Sequence, residues 1–116
     1  MNIQEFTEYT MYIRPKRTDM RKRGSTLAML VQQEMELNPF DKSMFLFCGK
    51  TRKILKVLVW DRNGFWECTK RLEEGTFCWP EDEREAMQVT TRQIYGMLKG
   101  ANPWRELPDL KPQQVC

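Results

Sequence analysis

The sequence predicts an α+β fold: an antiparallel meander of about four or five strands packed with one longer helix and a short C-terminal helix. Short runs rich in β-branched and aromatic residues recur between positions 43 and 79, as expected of strands. A segment around position 30 instead carries apolar residues at helical spacing. The dipeptide Asn63-Gly64, which favours tight hairpin turns, separates two of the strand-like runs.

The hairpin over residues 53–72 is the most clearly predicted element. Its turn is expected at residues 61–64, with Gly64 adopting the positive φ that such turns demand. Because side chains alternate between the faces of a strand, the number of loop residues decides which side chains share a face. We expect a loop of two or four residues. It places on one face Leu55, Val57 and Val59 with Trp66, Cys68 and Leu72.

A strand and the main helix are predicted before the hairpin. Residues 8–16 alternate weakly between apolar and polar, and Pro15 places this strand at an edge or brings it to an end. Ser25 or Thr26 is expected to cap the helix, because their hydroxyls accept hydrogen bonds from backbone amides. The helix ends before Pro39, which disfavours helical geometry in the preceding residue. Its apolar positions are Leu27, Leu30, Val31 and Met35.

Residues 43–48 are predicted to form a strand that is covered on both faces. Phe45 and Phe47 lie on one face, and Met44, Leu46 and Cys48 lie on the other. Apolar side chains on both faces are typical of a strand inside a sheet with a layer on each side. The phenylalanines are therefore interpreted first as core residues.

The chain after the hairpin is predicted to form one more strand and a short helix. Residues 76–79 are the predicted strand, closed by Pro80, and residues 81–88 are expected to be an acidic connection. Thr90 and Gln93 have the spacing of a capping box, which predicts a short helix that ends at Gly100.

The 116 residues correspond to one domain, with residues 1–103 as the α+β unit and residues 104–116 as a tail. Apolar residues make up 41% and charged residues 30%, the balance of a globular protein. No apolar run approaches the roughly 18 to 20 residues of a membrane span, so no membrane partner is expected. Residues 1–9 lack the basic start and apolar stretch of a secretory signal, which predicts a cytoplasmic location.

Catalysis, a metal site and cofactors are not expected. Histidine is absent, and the cysteines show no Cys-x-x-Cys spacing. Neither a Gly-x-Ser-x-Gly motif nor a phosphate-cradling glycine loop occurs, which argues against common hydrolases and nucleotide-binding proteins. The acids at residues 73–74 and 81–85 could hold a divalent cation, but adjacent exposed acids usually form a solvated loop. We interpret Cys48, Cys68 and Cys78 as small apolar strand residues and Cys116 as a terminal thiol.

Positive charge is concentrated in the first part of the chain. Residues 1–72 hold 14 Lys or Arg against 8 Asp or Glu, whereas residues 73–116 hold 5 against 8. Basic clusters bind nucleic acid because each neutralised phosphate releases condensed counterions. The alternative is a solvated basic face, and Asp19 is expected only to pair with a neighbouring arginine. One cluster comprises Arg14, Lys16, Arg17, Arg21, Lys22 and Arg23, and the other Lys50, Arg52, Lys53 and Lys56.

Several short strings, in a fixed order across roughly residues 12–100, are shared with one protein family. They are Thr18-Asp19-Met20-Arg21-Lys22, Leu27-Ala28, Leu30-Val31, Asn38-Pro39-Phe40, Phe45, Phe47, Lys56, Leu58, Trp60-Asp61, Asn63-Gly64-Phe65-Trp66, Lys70-Arg71-Leu72-Glu73, Gly75, Phe77 and Trp79-Pro80. Through them the chain resembles the small accessory protein encoded beside the transposase in insertion sequences of family sixty-six, often called the TnpB type. Residues 23–26 depart from the family's usual residues.

The resemblance implies a non-catalytic accessory factor in bacterial DNA transposition, with the transposase and other accessory proteins as partners and no small-molecule substrate. In one interpretation the protein binds DNA through basic residues. In the alternative, it is an interaction module that binds the transposase or another accessory protein through an aromatic surface of Trp60, Phe65 and Trp66. The predicted nucleic-acid-binding residues are Arg21, Lys22, Arg23, Arg52, Lys53, Lys56, Lys70 and Arg71.

Overall fold

The computed structural model describes residues 8–81, 87–90, 92, 93 and 96. They form a five-stranded mixed sheet, and a helix packs on one of its faces. In chain order the elements are β1 (Thr10–Ile13), α1 (Gly24–Gln33), β2 (Ser43–Cys48), β3 (Ile54–Asp61), β4 (Gly64–Arg71) and β5 (Met87–Val89). The strands are ordered β4-β3-β2-β1-β5 across the sheet. Within this described part, no helix has the length and apolar character needed to cross a membrane.

The first two strands run parallel, with Thr10 beside Ser43 and Ile13 beside Leu46. The predicted antiparallel meander is therefore wrong at this pair, although the other strand pairs are antiparallel. The long connection that carries α1 brings the chain back to the end of the sheet where β1 began, which a short turn cannot do. β1 is also shorter than predicted and lies inside the sheet, with Pro15 beyond its end.

The central strand β2 contributes to two cores, and all six of its residues are buried. Its two phenylalanines point towards α1, and Met44, Leu46 and Cys48 point to the other side, so the prediction that both faces are covered is confirmed. The core on the helix face comprises Leu27, Ala28, Leu30, Val31, Met35, Phe45, Phe47 and Leu58. The core on the opposite face comprises Met11, Ile13, Met44, Leu46, Cys48, Leu55, Val59, Phe77 and Trp79.

Strands β3 and β4 form the predicted hairpin, with Asp61 beside Gly64. The loop contains two residues, so the even loop is confirmed and Val59 shares a face with Trp66. The predicted positive φ at Gly64 is wrong, because it is Arg62 that has a φ of 56°. The Asn63 amide donates a hydrogen bond to the Asp61 carbonyl across Arg62, and the positive φ of Arg62 makes this three-residue turn the rarer of the two γ-turn forms.

The helix begins at Gly24, and Arg23 occupies an extended N-cap position without a side-chain hydrogen bond to the helix. The predicted cap by Ser25 or Thr26 is wrong, because both residues are already helical and an N-cap residue is not. A Cβ atom at Gly24 would lie 3.1 Å from Oε2 of Glu67 on β4. A carboxylate so close to the positive end of the helix stabilises that end from another part of the fold.

Residues 76–79 form no strand, contrary to the prediction. Their polar groups bond to other loops: the Phe77 amide donates to the Arg52 carbonyl at 2.7 Å, and the Trp79 indole donates to the Arg14 carbonyl at 2.8 Å. With these bonds made, the segment packs on the opposite face of the sheet and buries Phe77 and Trp79.

The short strand β5 was not predicted, since residues 81–88 were expected to be a connection. It pairs with β1, with Gln88 beside Tyr12, and three residues are too few to show an alternating pattern. Just beyond it, the Thr90 amide donates to Gln93 Oε1 at 2.8 Å and the Gln93 amide donates to Thr90 Oγ1 at 3.1 Å, as in a capping box. Most of the predicted C-terminal helix and the tail of residues 104–116 lie outside the described residues.

Candidate nucleic-acid interface

A cleft of about 620 Å³ with a strong excess of positive charge lies where the chain leaves β1 and β2. We call it the basic cleft. Five of its lining residues are cationic and one is acidic. They are Arg14, Lys16, Arg17, Gly49, Lys50, Arg52, Trp79, Pro80 and Glu81.

The parallel pairing of β1 and β2 creates this cleft. Because the two strands are parallel, their carboxyl ends lie side by side. The basic loop after Ile13 therefore emerges beside the basic turn after Cys48. The Arg14 amide donates to the Leu46 carbonyl at 3.0 Å, and the Thr18 amide donates to the Cys48 carbonyl at 2.8 Å. In an antiparallel pair the two segments would have emerged at opposite ends of the paired strands.

Two cations of the cleft have left-handed backbones, with a φ of 72° at Lys16 and 59° at Arg52. The Lys16 amide donates to the Pro80 carbonyl at 2.9 Å, and the Arg52 amide donates to the Gly49 carbonyl at 3.0 Å. Left-handed geometry is uncommon in residues other than glycine and persists only where the surrounding structure holds it. These bonds therefore hold both residues in the wall of the basic cleft.

Arg14 braces the cleft and is not well placed to bind a ligand. Its guanidinium donates to the Arg17 carbonyl at 2.9 Å, to Thr18 Oγ1 at 3.0 Å and to Glu34 Oε1 at 2.8 Å. These contacts connect the loop after β1 to the residue that follows α1. Arg17, Lys50 and Arg52 are therefore the strongest candidates for ligand contact.

The predicted residues ahead of the helix lie outside the lining of the basic cleft. Arg21 forms a two-pronged ion pair with Asp19, with Nε 3.0 Å from Oδ1 and Nη2 2.9 Å from Oδ2. Hydrogen bonds from the Arg21 side chain and backbone lower the pKa of Asp19 to about 2. Asp19 thus pairs with an arginine as expected, and Arg21, although 92% exposed, already has an anionic partner. Arg23 is exposed and Lys22 is half-buried.

The remaining predicted cations are dispersed. The Lys56 ammonium donates to the Lys22 carbonyl at 2.9 Å, and the Lys53 ammonium donates to the Gly75 carbonyl at 3.1 Å, so both help to hold loops. Lys70 and Arg71 are exposed on β4 and point to opposite faces of the sheet. Of the eight residues predicted from the sequence, only Arg52 lines the basic cleft.

The lysine and arginine residues of the cleft that the prediction omitted were visible as members of the basic clusters. Lys16, Arg17 and Lys50 each follow an apolar strand within a few residues. That position is the signal that could have identified them, but it becomes informative only when β1 and β2 are known to be parallel.

The predicted aromatic surface is divided between the two faces of the hairpin. Trp60 and Phe65 pack on the helix face with ring centroids 4.9 Å apart. Phe40, which was not predicted, joins them at 4.9 Å from Trp60 and is 50% exposed. Trp66 lies on the opposite face, where its indole donates to Asp61 Oδ2 at 3.0 Å. We call Phe40, Trp60 and Phe65 the aromatic cluster.

Comparison with known proteins identifies the family. Residues 9–107 match the family of IS66 Orf2-like proteins. The chain belongs to this family. It is 38% identical over 95 residues to the uncharacterized protein y4hO of Sinorhizobium fredii (strain NBRC 101917 / NGR234), covering 82% of each chain. It is 26% identical over 101 residues to protein y4jC of the same organism, covering 84% of this chain and 86% of the relative. No solved structure gives a significant match.

The resemblance read from the sequence strings is thus confirmed, and it gives this IS66 Orf2-like protein an accessory role associated with transposition.

In the part of the chain that the structure describes, no group of three or more His, Cys, Asp or Glu side chains could hold a metal ion. Burial raises the pKa of the Cys48 thiol in β2 to about 11. Cys68 is exposed, contrary to the prediction of apolar packing, and Cys78 is buried outside any strand. Cys116 lies outside the described residues.

Proposed function

We propose that this IS66 Orf2-like protein is a non-catalytic accessory factor of transposition that binds the phosphate backbone of DNA in the basic cleft. The observation that carries the proposal is the convergence of five cationic residues, against one acidic residue, in a single cleft. These cations come from both basic clusters of the sequence. Family membership supplies the transposition context, and the absence of histidine from the whole sequence supports a role in binding over one in catalysis.

The chemistry of the cleft favours contact with the backbone of nucleic acid over contact with its bases. A concave surface lined by one sign of charge attracts a polyanion and gains affinity from released counterions. Phosphate contacts position a protein on DNA but carry no sequence information. Trp79 is only 4% exposed and its indole is hydrogen-bonded, so its ring supports the wall of the cleft and is not presented for stacking. We therefore expect binding with little sequence preference.

Single charge-neutralising variants test the proposal. Arg17→Gln and Lys50→Gln each remove one cation from the cleft, and Arg62→Gln removes one exposed cation from the hairpin turn. The first two should weaken binding by a similar factor for every DNA sequence and make the salt slope shallower by about one unit each. Arg62→Gln should bind like the wild type. Fluorescence anisotropy with labelled element-end DNA and an unrelated duplex, at two salt concentrations, measures both quantities.

Two results would contradict this proposal. The first is a wild-type protein that fails to bind DNA at low salt, or that binds it with no dependence on salt. The second is a hairpin variant that loses as much affinity as the cleft variants, because net charge and not the cleft would then explain binding. Folding is checked by circular dichroism, and exposed charges contribute only about 0 to 1 kcal/mol to stability.

The second candidate function is an interaction module that contacts the transposase or another accessory protein through the aromatic cluster. The observation that favours it is the half-exposed Phe40, whose ring centroid lies 5.6 Å from that of Phe65. A hydrogen bond from the Phe40 backbone amide to Asn38 Oδ1 fixes the backbone at this position. Clustered aromatic residues are enriched at protein interfaces. Under this proposal Phe40→Ala abolishes transposase capture in a pull-down and leaves DNA binding unchanged. Unaltered capture by Phe40→Ala would remove this candidate.

A further inference from the structure

We infer that the outer edge of β4 pairs with β4 of a second copy of this chain, forming a two-fold symmetric dimer with a continuous antiparallel sheet. β4 ends the strand order, and no residue that the structure describes pairs with its outer edge. It is eight residues long, and its last six residues, Trp66 to Arg71, are exposed. An edge strand of this length offers a row of backbone donors and acceptors to another strand.

The backbone groups that point outward can be assigned. The Leu72 amide donates to the Lys53 carbonyl at 2.8 Å, so residues of even number in this strand bond to β3. Hydrogen-bonding direction alternates along an antiparallel strand. The amides and carbonyls that face outward therefore belong to Phe65, Glu67, Thr69 and Arg71.

Two-fold symmetry then selects one register that uses all four of these residues. With the axis at Cys68, Glu67 lies opposite Thr69 of the second copy, and Phe65 lies opposite Arg71. Each such pair exchanges two hydrogen bonds, which gives about eight between the chains. Shifting the axis along the strand leaves at least one of the four residues without an opposite residue in β4.

The side chains are complementary in this register. On the opposite face, the 49% exposed Trp66 lies beside Lys70 of the second copy, and on the helix face Phe65 lies beside Arg71. Both are contacts between a cation and an aromatic ring. Glu67 has two diagonal neighbours in the second copy: Arg71, within reach of a charged pair, and Glu67, a like charge that this pair offsets. Charges on edge strands often prevent pairing, but here the symmetry sets each cation against a ring or a carboxylate.

The mass of the 116-residue chain in solution tests the inference. Sedimentation equilibrium should give twice the chain mass of 14.0 kDa at high concentration. Thr69→Pro removes an outward amide and should weaken dimerisation at least about 30-fold, because two of the eight or so interchain hydrogen bonds are lost. Thr69→Val keeps that amide and should dimerise like the wild type. A monomer at every concentration, or a dimer that Thr69→Pro leaves intact, overturns the inference.

A charge exchange tests whether the partner is this same strand, and it does not depend on how well the proline variant folds. Arg71→Glu should weaken the dimer by placing a carboxylate diagonal to Glu67 of the second copy, and adding Glu67→Arg should restore it. Because the Glu67 carboxylate also lies at the start of α1, circular dichroism checks that the double variant is folded. Failure of the second change to restore the dimer would mean that β4 does not pair with itself in this register. An outer edge covered by a segment of the same chain, or one that pairs only with the transposase, would appear as a monomer in these measurements.

Cross-linking locates the axis. Residues opposite each other at a position without mutual hydrogen bonds have Cα atoms about 4.5 Å apart, which suits a disulfide. In a Cys116→Ser background, mild oxidation should therefore produce a covalent dimer that a further Cys68→Ser change abolishes. Retention of the cross-linked dimer after Cys68→Ser would place the interface elsewhere and overturn the inference.

Discussion

The strands β2 and β4 each carry two aromatic residues, yet β2 is wholly buried and β4 is largely exposed. β2 has a strand on each side and a layer on each face, and all six of its residues are buried. β4 has β3 on one side only, and six of its eight residues are exposed. The difference follows from both position in the sheet and composition, because β2 has no charged residue whereas β4 has three, Glu67, Lys70 and Arg71. Four measurements test the difference between β2 and β4.

The largest expected difference is in the stability of truncation variants. Phe47→Ala in β2 removes a fully buried ring and leaves a cavity, so it should lower the free energy of unfolding by about 3 to 5 kcal/mol. Trp66→Ala in β4 removes a larger ring that is half in water and should lower it by less than about 1 kcal/mol. Urea unfolding at one fixed protein concentration measures both. Equal losses would mean that β4 contributes to the core.

The thiols of the two strands should differ strongly in reactivity. Because burial raises the pKa of Cys48 to about 11, the reactive thiolate form exists only well above neutral pH, and each unit of pH below that value reduces it tenfold. In dilute native protein at pH 8, we expect Cys48 to react with iodoacetamide at least about 100-fold more slowly than the exposed Cys68. Peptide mass spectrometry over time reports each rate. Comparable rates would show that β2 opens to solvent.

The glycines that border the two strands should tolerate a methyl group differently. A Cβ atom at Gly49, directly after β2, would lie 2.7 Å from Cγ of Met20, so Gly49→Ala should destabilise the protein by about 1 to 3 kcal/mol. A Cβ atom placed at Gly64, the first residue of β4, would have no atom of a non-neighbouring residue within 4 Å. Gly64→Ala should therefore change stability by less than about 0.5 kcal/mol. Thermal unfolding of the two variants compares them directly, and a larger loss at Gly64 would contradict the assigned turn.

The smallest expected effect is a gain in stability at the hairpin turn. Arg62 has a left-handed backbone that disfavours any residue with a Cβ atom, so Arg62→Gly should stabilise the protein by about 0.5 to 1 kcal/mol. Arg62→Ala removes the same charge but keeps the Cβ atom, and serves as the control that should not gain stability. If both variants unfold at the same denaturant concentration, backbone strain at Arg62 is not relieved by glycine.

The hairpin and the central strand were predicted well because their signals are local. Alternation in residues 43–48 predicted both faces of β2, and the even loop predicted that Val59 and Trp66 share a face. The turn itself was assigned to the wrong residue. Asn63-Gly64 favours a positive φ, but the two-residue loop ends before Gly64, and the strained position falls on Arg62.

The candidate site was predicted less well because it is built from segments distant in sequence. The basic clusters were recognised, yet only Arg52 of the predicted binding residues lines the basic cleft. The start of α1 shows the same limitation, since Glu67 on β4 lies at that end of the helix and Ser25 and Thr26 do not cap it. A contact between residues so far apart in the chain leaves no pattern in either segment.

The sequence by itself determined the accessory-protein family, the concentration of basic residues before position 72 and the side chains that form the two cores, because alternation and composition are local properties. Only the tertiary structure decided where the basic residues converge. β1 and β2 are parallel, so the loops after Ile13 and Cys48 meet at the carboxyl ends of these two strands. The direction of β2 depends on how the connection through α1 crosses the sheet, and that is settled by packing across the whole domain and not by any short run of residues.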